Sequence, residues 1–324
     1  MNFQNIKQIK DSKAYLDVAF SKASKKAQLT KKSNRMRGLD FAKNVEIAKL
    51  DVVSTTLAKI FNAILEDFPT FSKLSPFYVE ICENNIDMDR IRKALSTLGW
   101  ASEKISEIRG LTNRKIIKSN DEHEVYIVSR GFYGRVSSIA RRLEKHLDFL
   151  ENSRRLLREL PDVKEDIFTT CIAGFPNVGK STLLSQITTS KPEIRNYAFT
   201  TKKLNIGYMS VGLRKVQLID TPGTLARFDK MNSIEKQAYL AIKHLSNALV
   251  YVYDLTEMYP LADQKMLAEL IADMGKPMIY YLSKTDILPK EVVADFLSKN
   301  KDIKFLTSVK ELTDSLKELT KKNR

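Results

Sequence analysis

The chain has 324 residues, 43% apolar and 29% charged, with a formal net charge of +15. That length and apolar content suffice for about two packed domains. Two cysteines outside any Cys/His cluster exclude a disulfide framework and a thiolate zinc site, and no apolar run approaches the roughly 20 residues of a helical membrane span. Charge is uneven. Residues 1–160 carry 30 Lys+Arg against 20 Asp+Glu, and the first 37 residues carry ten basic against two acidic. This points to a polyanionic partner, RNA ahead of anionic lipid, with a merely solvated lysine-rich surface as the plainer reading. Cys82 and Cys171 follow or occupy apolar runs and are expected as buried thiols. With no apolar leader at the N-terminus, a soluble, intracellular, cytoplasmic protein is expected.

In chain order, residues 1–40 read as polar and helical, with Tyr15, Leu16, Ala19 and Phe20 on a weak face. Residues 41–65 repeat apolar positions every three or four residues (Val53, Leu57, Ile60, Phe61, Ile64), which predicts a helix. A further helix is expected from Ser75 or Pro76, and another capped by Asp87 or Asp89 with Ile91, Leu95 and Leu98 inward. Trp100 is expected in the core. LTNRKIIKSNDEHEVYIVSR has no clear period, VYIV is too short to assign, and His123 reads as solvated. RGFYGRVSSIARRLEKHLDFLENSRRLLREL then predicts one long helix. Its apolar stripe runs Val136, Ile139, Leu143, Leu147, Leu150 and Leu157, with Arg135, Arg141, Arg142, Arg154, Arg155 and Arg158 off it. Pro161 ends it.

Beyond residue 163 the pattern changes to alternating strands and helices, the grammar of an α/β domain. Strands are expected at IFTTCIAG, LNIGYMSVG, VQLID, ALVYVYDL, PMIYYLS and IKFLTS, with LNIGYMSVG and VQLID forming a hairpin. The expected fold is a mostly parallel six-stranded sheet with one antiparallel strand, in residues 164–324. It follows an all-α bundle in residues 1–163.

Four motifs sit at predicted strand ends. GFPNVGKS, Gly174 to Ser181, lies between a strand and a helix, the setting a phosphate-binding loop requires. There the backbone N–H groups of Gly174, Asn177, Val178 and Gly179 form a cradle, with Pro176 shaping the turn between them. Lys180 reaches the β- and γ-phosphates, Ser181 offers its hydroxyl to Mg²⁺, and Thr182 follows in the helix. DTPG places Asp220 as a second Mg²⁺ ligand and Gly223 against the γ-phosphate. SKTD resembles the NKxD guanine-reading motif: Asp286 accepts from the guanine N1–H and N2–H₂, and Lys284 lays its stem along the base. Ser283 stands where Asn is usual; its shorter hydroxyl puts a bond to the base or to the phosphate loop at stake, so GTP selectivity is expected to survive with weaker affinity. FLTSVK offers a backbone N–H near Ser308 or Val309 to guanine O6. Between helix and hairpin, YAFTT offers Thr201, ahead of Thr200, as a switch residue on Mg²⁺. Together these predict a P-loop GTPase using GTP/GDP and Mg²⁺, with Lys180, Thr201 and Gly223 as catalytic residues.

The same motifs, with FTTK from Phe199, resemble the Obg-like translation-factor GTPases. AFSKASKKA, SPFYVEI and RGFYGRVSSIARRLEKHLDFLENSRRLLRELPDV further resemble the nucleolar GTP-binding protein 1 family, in its short archaeal form. The resemblance implies a helical bundle, a GTPase domain and a role in large ribosomal subunit biogenesis through the pre-ribosomal particle and its RNA. It also implies that Asn177 ligates K⁺, against the alternative that it only stabilises the turn. Thr224 and Leu225 follow Gly223, so no water-orienting Gln is present and slow intrinsic hydrolysis by a monomer is expected. The rival readings are a nucleotide-binding assembly factor that barely hydrolyses and a GTPase recruited to anionic membrane.

Overall fold

The computed structural model describes residues 3–33, 38–160, 163–188, 193–196, 203–221, 239–256 and 258–322. Its residues divide into two compact units. The first comprises Phe3–Lys73 and Ile86–Arg158 and is helical throughout.

In that unit α1 (Ser12–Ser33), α2 (Leu39–Asp67) and α4 (Met88–Lys118) precede α5 (Glu122–Arg142) and α6 (Glu144–Arg158). The inward face of α2 is the predicted set: Val53, Leu57, Phe61 and Ile64 are all buried, and Ile60 is half-buried. In α4 a continuous stripe of Ile91, Ala94, Leu98, Ala101 and Ile105 is fully buried. Trp100 lies off that stripe and is 47% exposed, so the expectation of a core tryptophan fails. Asp87 caps α4, its side chain accepting from the Arg90 N–H at 2.9 Å.

The aperiodic stretch is helical as well. Asp121 accepts from the Glu124 N–H at 2.8 Å while Glu124 reaches back to the Asn120 N–H at 2.8 Å, an acidic version of the capping box. VYIV lies inside α5, and His123 is exposed in its first turn. The expected single helix from Arg130 breaks at Leu143, which is buried and whose N–H turns to the Ala140 carbonyl. The apolar stripe continues across the break: Val136, Leu143, Leu147, Leu150 and Leu157 are each at most 1% exposed.

Arg154, expected on the solvent side, is also buried. It forms a two-pronged bond to Glu151, at 2.7 and 2.8 Å. Glu151 also accepts from the Ile9 N–H at 3.0 Å and from Arg155 at 3.0 Å. This pins the N-terminal segment, with its buried Phe3, Ile6 and Ile9, into the unit.

The second unit comprises Leu74–Asn85 and Glu159–Arg324. The spatial division falls between residues 158 and 159, a few residues before the boundary expected between 163 and 164, and it also reassigns one earlier segment. Helix α3 (Pro76–Asn85), between α2 and α4 in sequence, packs with the later residues. It buries Phe77, Tyr78, Ile81 and Cys82. The Tyr78 hydroxyl accepts from the Val163 N–H at 3.1 Å, and Glu80 meets Lys243 at 3.1 Å and His244 at 2.6 Å.

The rest of this unit is a sheet in the order β2-β3-β4-β1-β5-β6-β7 with helices around it. The strands are β1 (Thr169–Ala173), β2 (Glu193–Asn196), β3 (Lys203–Val211), β4 (Arg214–Asp220), β5 (Ala248–Asp254), β6 (Met278–Ser283) and β7 (Phe305–Leu306). All pairs from β4 to β7 are parallel, and β3 alone runs against its neighbours. The fold class is as expected, with β2 added as a short seventh strand at the edge. Strands β1 and β5 are buried along their whole length, which explains their unbroken apolar runs. The helices are α7 (Lys180–Ile187), α8 (Leu261–Ala272), α9 (Lys290–Lys299) and α10 (Val309–Lys322), with a π-helical turn at Ala241–Leu245. Burial pushes the thiols of Cys82 and Cys171 up to about 12, as expected of inert core cysteines.

Above all the Arg154 hydrogen bonds hold Glu151 down to about 2 from an ordinary 4.5. A carboxylate with a depressed folded pKa stabilises fully above its unfolded value and loses that stabilisation as pH falls through the folded one. Glu151→Gln should therefore destabilise the protein at neutral pH, by at most about 3 kcal/mol. The gap to wild type should narrow as pH drops from about 5 toward 2. Urea midpoints of both proteins across that range check this.

Candidate functional site

The C-terminal ends of β4, β1, β5, β6 and β7 form one edge of the sheet, and the chain leaves β1 toward β4 on one side and β5 on the other. In such open sheets ligands bind outside the carboxyl ends at that reversal. The sequence motifs fall on this edge.

At the end of β1 the backbone must turn over β5. Gly174 does so at φ +143°, and a Cβ there would lie 2.6 Å from the Val252 carbonyl oxygen. Asn177 holds a left-handed φ of +60°, unusual for a residue with a side chain. Gly179 opens α7 at φ +96° with no side chain capping the helix. The first-turn N–H groups of α7 are thus free of a capping side chain, which suits an anion. Val178 is fully buried, Pro176 half-buried, and Asn177 and Thr182 exposed.

Lys180 folds back over this loop and donates to the Phe175 carbonyl at 2.6 Å. It is 7% exposed, and burial pushes its ammonium down to about 8 against the opposing pull of Asp220. Ser181 donates to Asp220 at 2.5 Å, and Asn205 donates to the same carboxylate oxygen at 3.0 Å. Thr221 anchors the chain beyond β4 by bonding the Ile172 carbonyl through both its N–H (3.1 Å) and its hydroxyl (2.8 Å). Gly223 and Thr201 lie outside the described residues.

Ser283 corrects one expectation. Its hydroxyl lies 2.7 Å from the Val178 carbonyl and 2.9 Å from the Tyr253 carbonyl. The shorter side chain keeps its bond to the phosphate loop. Lys284 adopts a left-handed φ of +55°, and its ammonium meets Asp254 at 2.6 Å. Asp286 is exposed at the mouth of this turn. The pairing of Tyr281 with Leu306 puts Ser308, two residues on, at the same edge as Ser283. Ser308 accepts from the Glu311 N–H at 3.2 Å and so caps α10, whose first residue is Val309.

Asp254 was missed in the sequence. It ends an apolar strand, as Asp220 does, and that shared position was the available signal. It is 2% exposed; burial would raise its pKa, but bonds from Lys284 and Thr256 outweigh that and leave it below its ordinary value. Gln264, buried in α8, accepts from the Asp254 N–H at 3.0 Å and donates to its carbonyl at 2.8 Å.

The sheet, the Gly-rich turn into α7 and the acids at the strand ends define a P-loop GTPase domain, and guanine nucleotide binding belongs to it. Residues 169–284 match the family described as 50S ribosome-binding GTPase, and residues 3–164 match the family described as NOG1 N-terminal helical domain. The chain belongs to the nucleolar GTP-binding protein 1 family. It is 33% identical over 284 residues to an uncharacterized protein of Methanocaldococcus jannaschii, covering 86% of this chain and 80% of that one. The nucleolar GTP-binding protein 1 of Arabidopsis thaliana is 28% identical over 304 residues, which is 91% of this chain and 44% of that one. That of Drosophila melanogaster is 30% identical over 299 residues, 90% of this chain and 45% of the relative. The chain spans less than half the length of these two eukaryotic relatives.

Because Lys180 titrates near 8 without a ligand, phosphate oxygens beside it would restore the charged form. Nucleotide binding should then take up a proton between about pH 8 and 10, and affinity should fall as pH rises through that window. Calorimetric titration with GDP in two buffers of different ionisation enthalpy measures that uptake.

Proposed function

We propose that the protein is a GTP-hydrolysing switch in large ribosomal subunit biogenesis, binding pre-ribosomal RNA through its basic helical unit. It acts as a cytoplasmic monomer. The observation that carries the nucleotide reading is the Ser283 hydroxyl, which ties the phosphate loop to the base-reading turn. The matched family described as 50S ribosome-binding GTPase and the relatives' names support the ribosomal part. The +10 balance of residues 1–160 supports RNA as the partner. No helix among the described residues is long and apolar enough to cross a membrane.

In this reading the loop N–H groups of residues 177–179 and the first turn of α7 hold the β-phosphate, and Lys180 leaves the Phe175 carbonyl to bridge the β- and γ-phosphates. Ser181 and Asp220 present two hard oxygens 2.5 Å apart, a donor set that fits Mg²⁺ shared with phosphates. Bound Mg²⁺ would neutralise charge on the phosphate oxygens. Thr201 completes the donor set, Gly223 reads the γ-phosphate through its N–H, and Asp286 selects guanine. Lys284, held by Asp254, flanks the base; the N–H groups of Ser308 and Val309 face guanine O6. Asn177, exposed and left-handed, offers its side-chain oxygen to K⁺ beside the phosphates, which would replace the stabilisation an arginine finger gives.

Two outcomes follow. Asp286→Asn should lower GTP affinity by about a hundredfold and raise preference for xanthosine triphosphate, since the amide keeps one acceptor but sets an N–H₂ donor against the guanine N2–H₂, and that donor suits the xanthine 2-carbonyl instead. Competition binding with both nucleotides reads this, and unchanged GTP affinity removes Asp286 from base recognition. Single-turnover GTP hydrolysis should be slow and faster in K⁺ than in Na⁺. Bound GTP left uncleaved in both salts would instead support an assembly factor that only binds nucleotide.

A further inference from the structure

Most of the net positive charge lies in the N-terminal half of the chain, +10 over residues 1–160, and one helix face of the helical unit concentrates arginines without internal partners. Several arginines of this unit are paired: Arg92 with Asp89, Arg109 with Asp51, Arg154 and Arg155 with Glu151. Arg130, Arg141 and Arg142 of α5 are exposed and have no ion-pair partner among the described residues. They line a shallow concavity of about 600 Å³ together with Gly134, Ser137 and Ser138. The spacing explains the grouping. Residues 130, 134, 137 and 141 recur at four, three and four and share a helix face. Eleven residues separate Arg130 from Arg141 by about 17 Å along the axis. The concavity also meets Tyr133, which is fixed edge-on to Phe20 (5.8 Å between centroids) and donates to Glu46 at 3.0 Å.

Gly134 adds an independent observation. A Cβ there would meet nothing within 4 Å, and its φ is not left-handed. Neither backbone nor packing requires glycine, which in a helix interior is less favourable than alanine. A bare backbone between arginines permits something that a methyl group would hold off: direct contact with another molecule's backbone.

We propose that this face of α5 is the RNA-docking surface of the helical unit. Arg130 on one side and Arg141 with Arg142 on the other grip phosphates, and the sugar–phosphate chain between them rests on Gly134. The Ser137 and Ser138 hydroxyls donate to phosphate or 2′-hydroxyl oxygens. Contacts of this kind read RNA backbone shape, not base sequence. An anionic bilayer fits the face less well. Its apolar lining is Phe20 and Tyr133, both half-buried and packed edge-on against each other, and no fully exposed large apolar side chain joins them, whereas interfacial helices insert such residues between lipids. The inference rests on the RNA-binding reading above and gives that reading a location.

The test uses the full chain and a labelled RNA duplex, followed by fluorescence anisotropy over a salt series, with GDP affinity of the same samples as a check on folding. Arg130→Gln/Arg141→Gln/Arg142→Gln should weaken binding by about tenfold or more and flatten the log–log salt slope by about 2 to 3. Gly134→Ala should raise the melting temperature by about 2–4 °C and yet weaken RNA binding. A glycine of merely structural consequence would change the melting temperature alone, and that result overturns the close-contact assignment. A triple variant with wild-type affinity and slope overturns the surface while leaving RNA binding intact elsewhere, for instance on Lys22, Lys25 and Lys26. A wild type that binds no duplex RNA overturns both the surface and the RNA reading. Its flotation with phosphatidylserine vesicles would then assign the charge to lipid.

Discussion

The nucleotide edge depends on one close approach, that of the Gly174 backbone to the Val252 carbonyl. Any side chain at 174 would sit 2.6 Å from that oxygen, which no Cβ tolerates, and the φ of +143° already excludes most residues. Because the chain can cross the end of β5 so closely, Val178 is buried against the sheet and its carbonyl faces Ser283. Gly179 then starts α7 directly below the turn, and Lys180 can reach back to Phe175. Lifting the loop by even one side chain's width would separate Val178 from Ser283. It would disconnect the two loops that must hold opposite ends of one ligand.

Apart from the exposed Asp286, the ionisable motif groups along this edge are at least partly buried and already paired. Asp254 and Lys284 hold each other, Asp220 is held by Ser181 and Asn205, and Lys180 is held by a carbonyl. A buried charge without a partner costs several kcal/mol, so such pairing is what lets the edge fold without a ligand. It also changes what binding means. A ligand exchanges existing bonds instead of recruiting groups from water, so net affinity comes from the difference between two well-made sets of contacts. The left-handed Asn177 and Lys284 are the exceptions, two residues in a conformation that costs on the order of 1 kcal/mol each or more. Both sit in loops that the motif assigns to ligand contact, where such a cost is commonly tolerated.

What the sequence revealed follows from where period and punctuation are strong. The buried strands read as apolar runs, and the Gly-rich turn and strand-end acids stood at recognisable spacings, so the class and most of the edge were legible. Asp254 was not, because its partner Lys284 is thirty residues away and only the β5–β6 register brings them together. Ser283 was read by comparison with Asn, which hid the fact that a hydroxyl suffices for a carbonyl this near. The break at Leu143 left no trace because the residue stays buried and the stripe continues on both sides. The stretch around His123 had no clear period and so hid a helix start, although Asp121 and Glu124 stand at the three-residue spacing that marks one. A lone residue such as Trp100 has no period of its own. Its neighbours' stripe, one position away, decided its exposure.

Helix α3 shows why order along the chain and order in space diverge. Its four buried side chains form an apolar face no different in kind from those of α2 or α4, so periodicity could not say which core it joins. The polar contacts decide it. Tyr78 receives the Val163 N–H, Ser75 bonds Glu165 at 2.5 Å, and Glu80 binds both Lys243 and His244 at the π-helical turn. Burial would raise the Glu80 pKa, but the bonds from His244 and Lys243 lower it, so the carboxylate meets them ionised. Among the described residues the chain therefore changes unit three times, around residues 73, 85 and 158, and not once. A fragment beginning at 164 would lack this helix and leave bare the apolar surface that Phe77, Tyr78 and Ile81 cover. The GTPase fold in this chain is consequently complete only with a segment that precedes its phosphate loop by about a hundred residues.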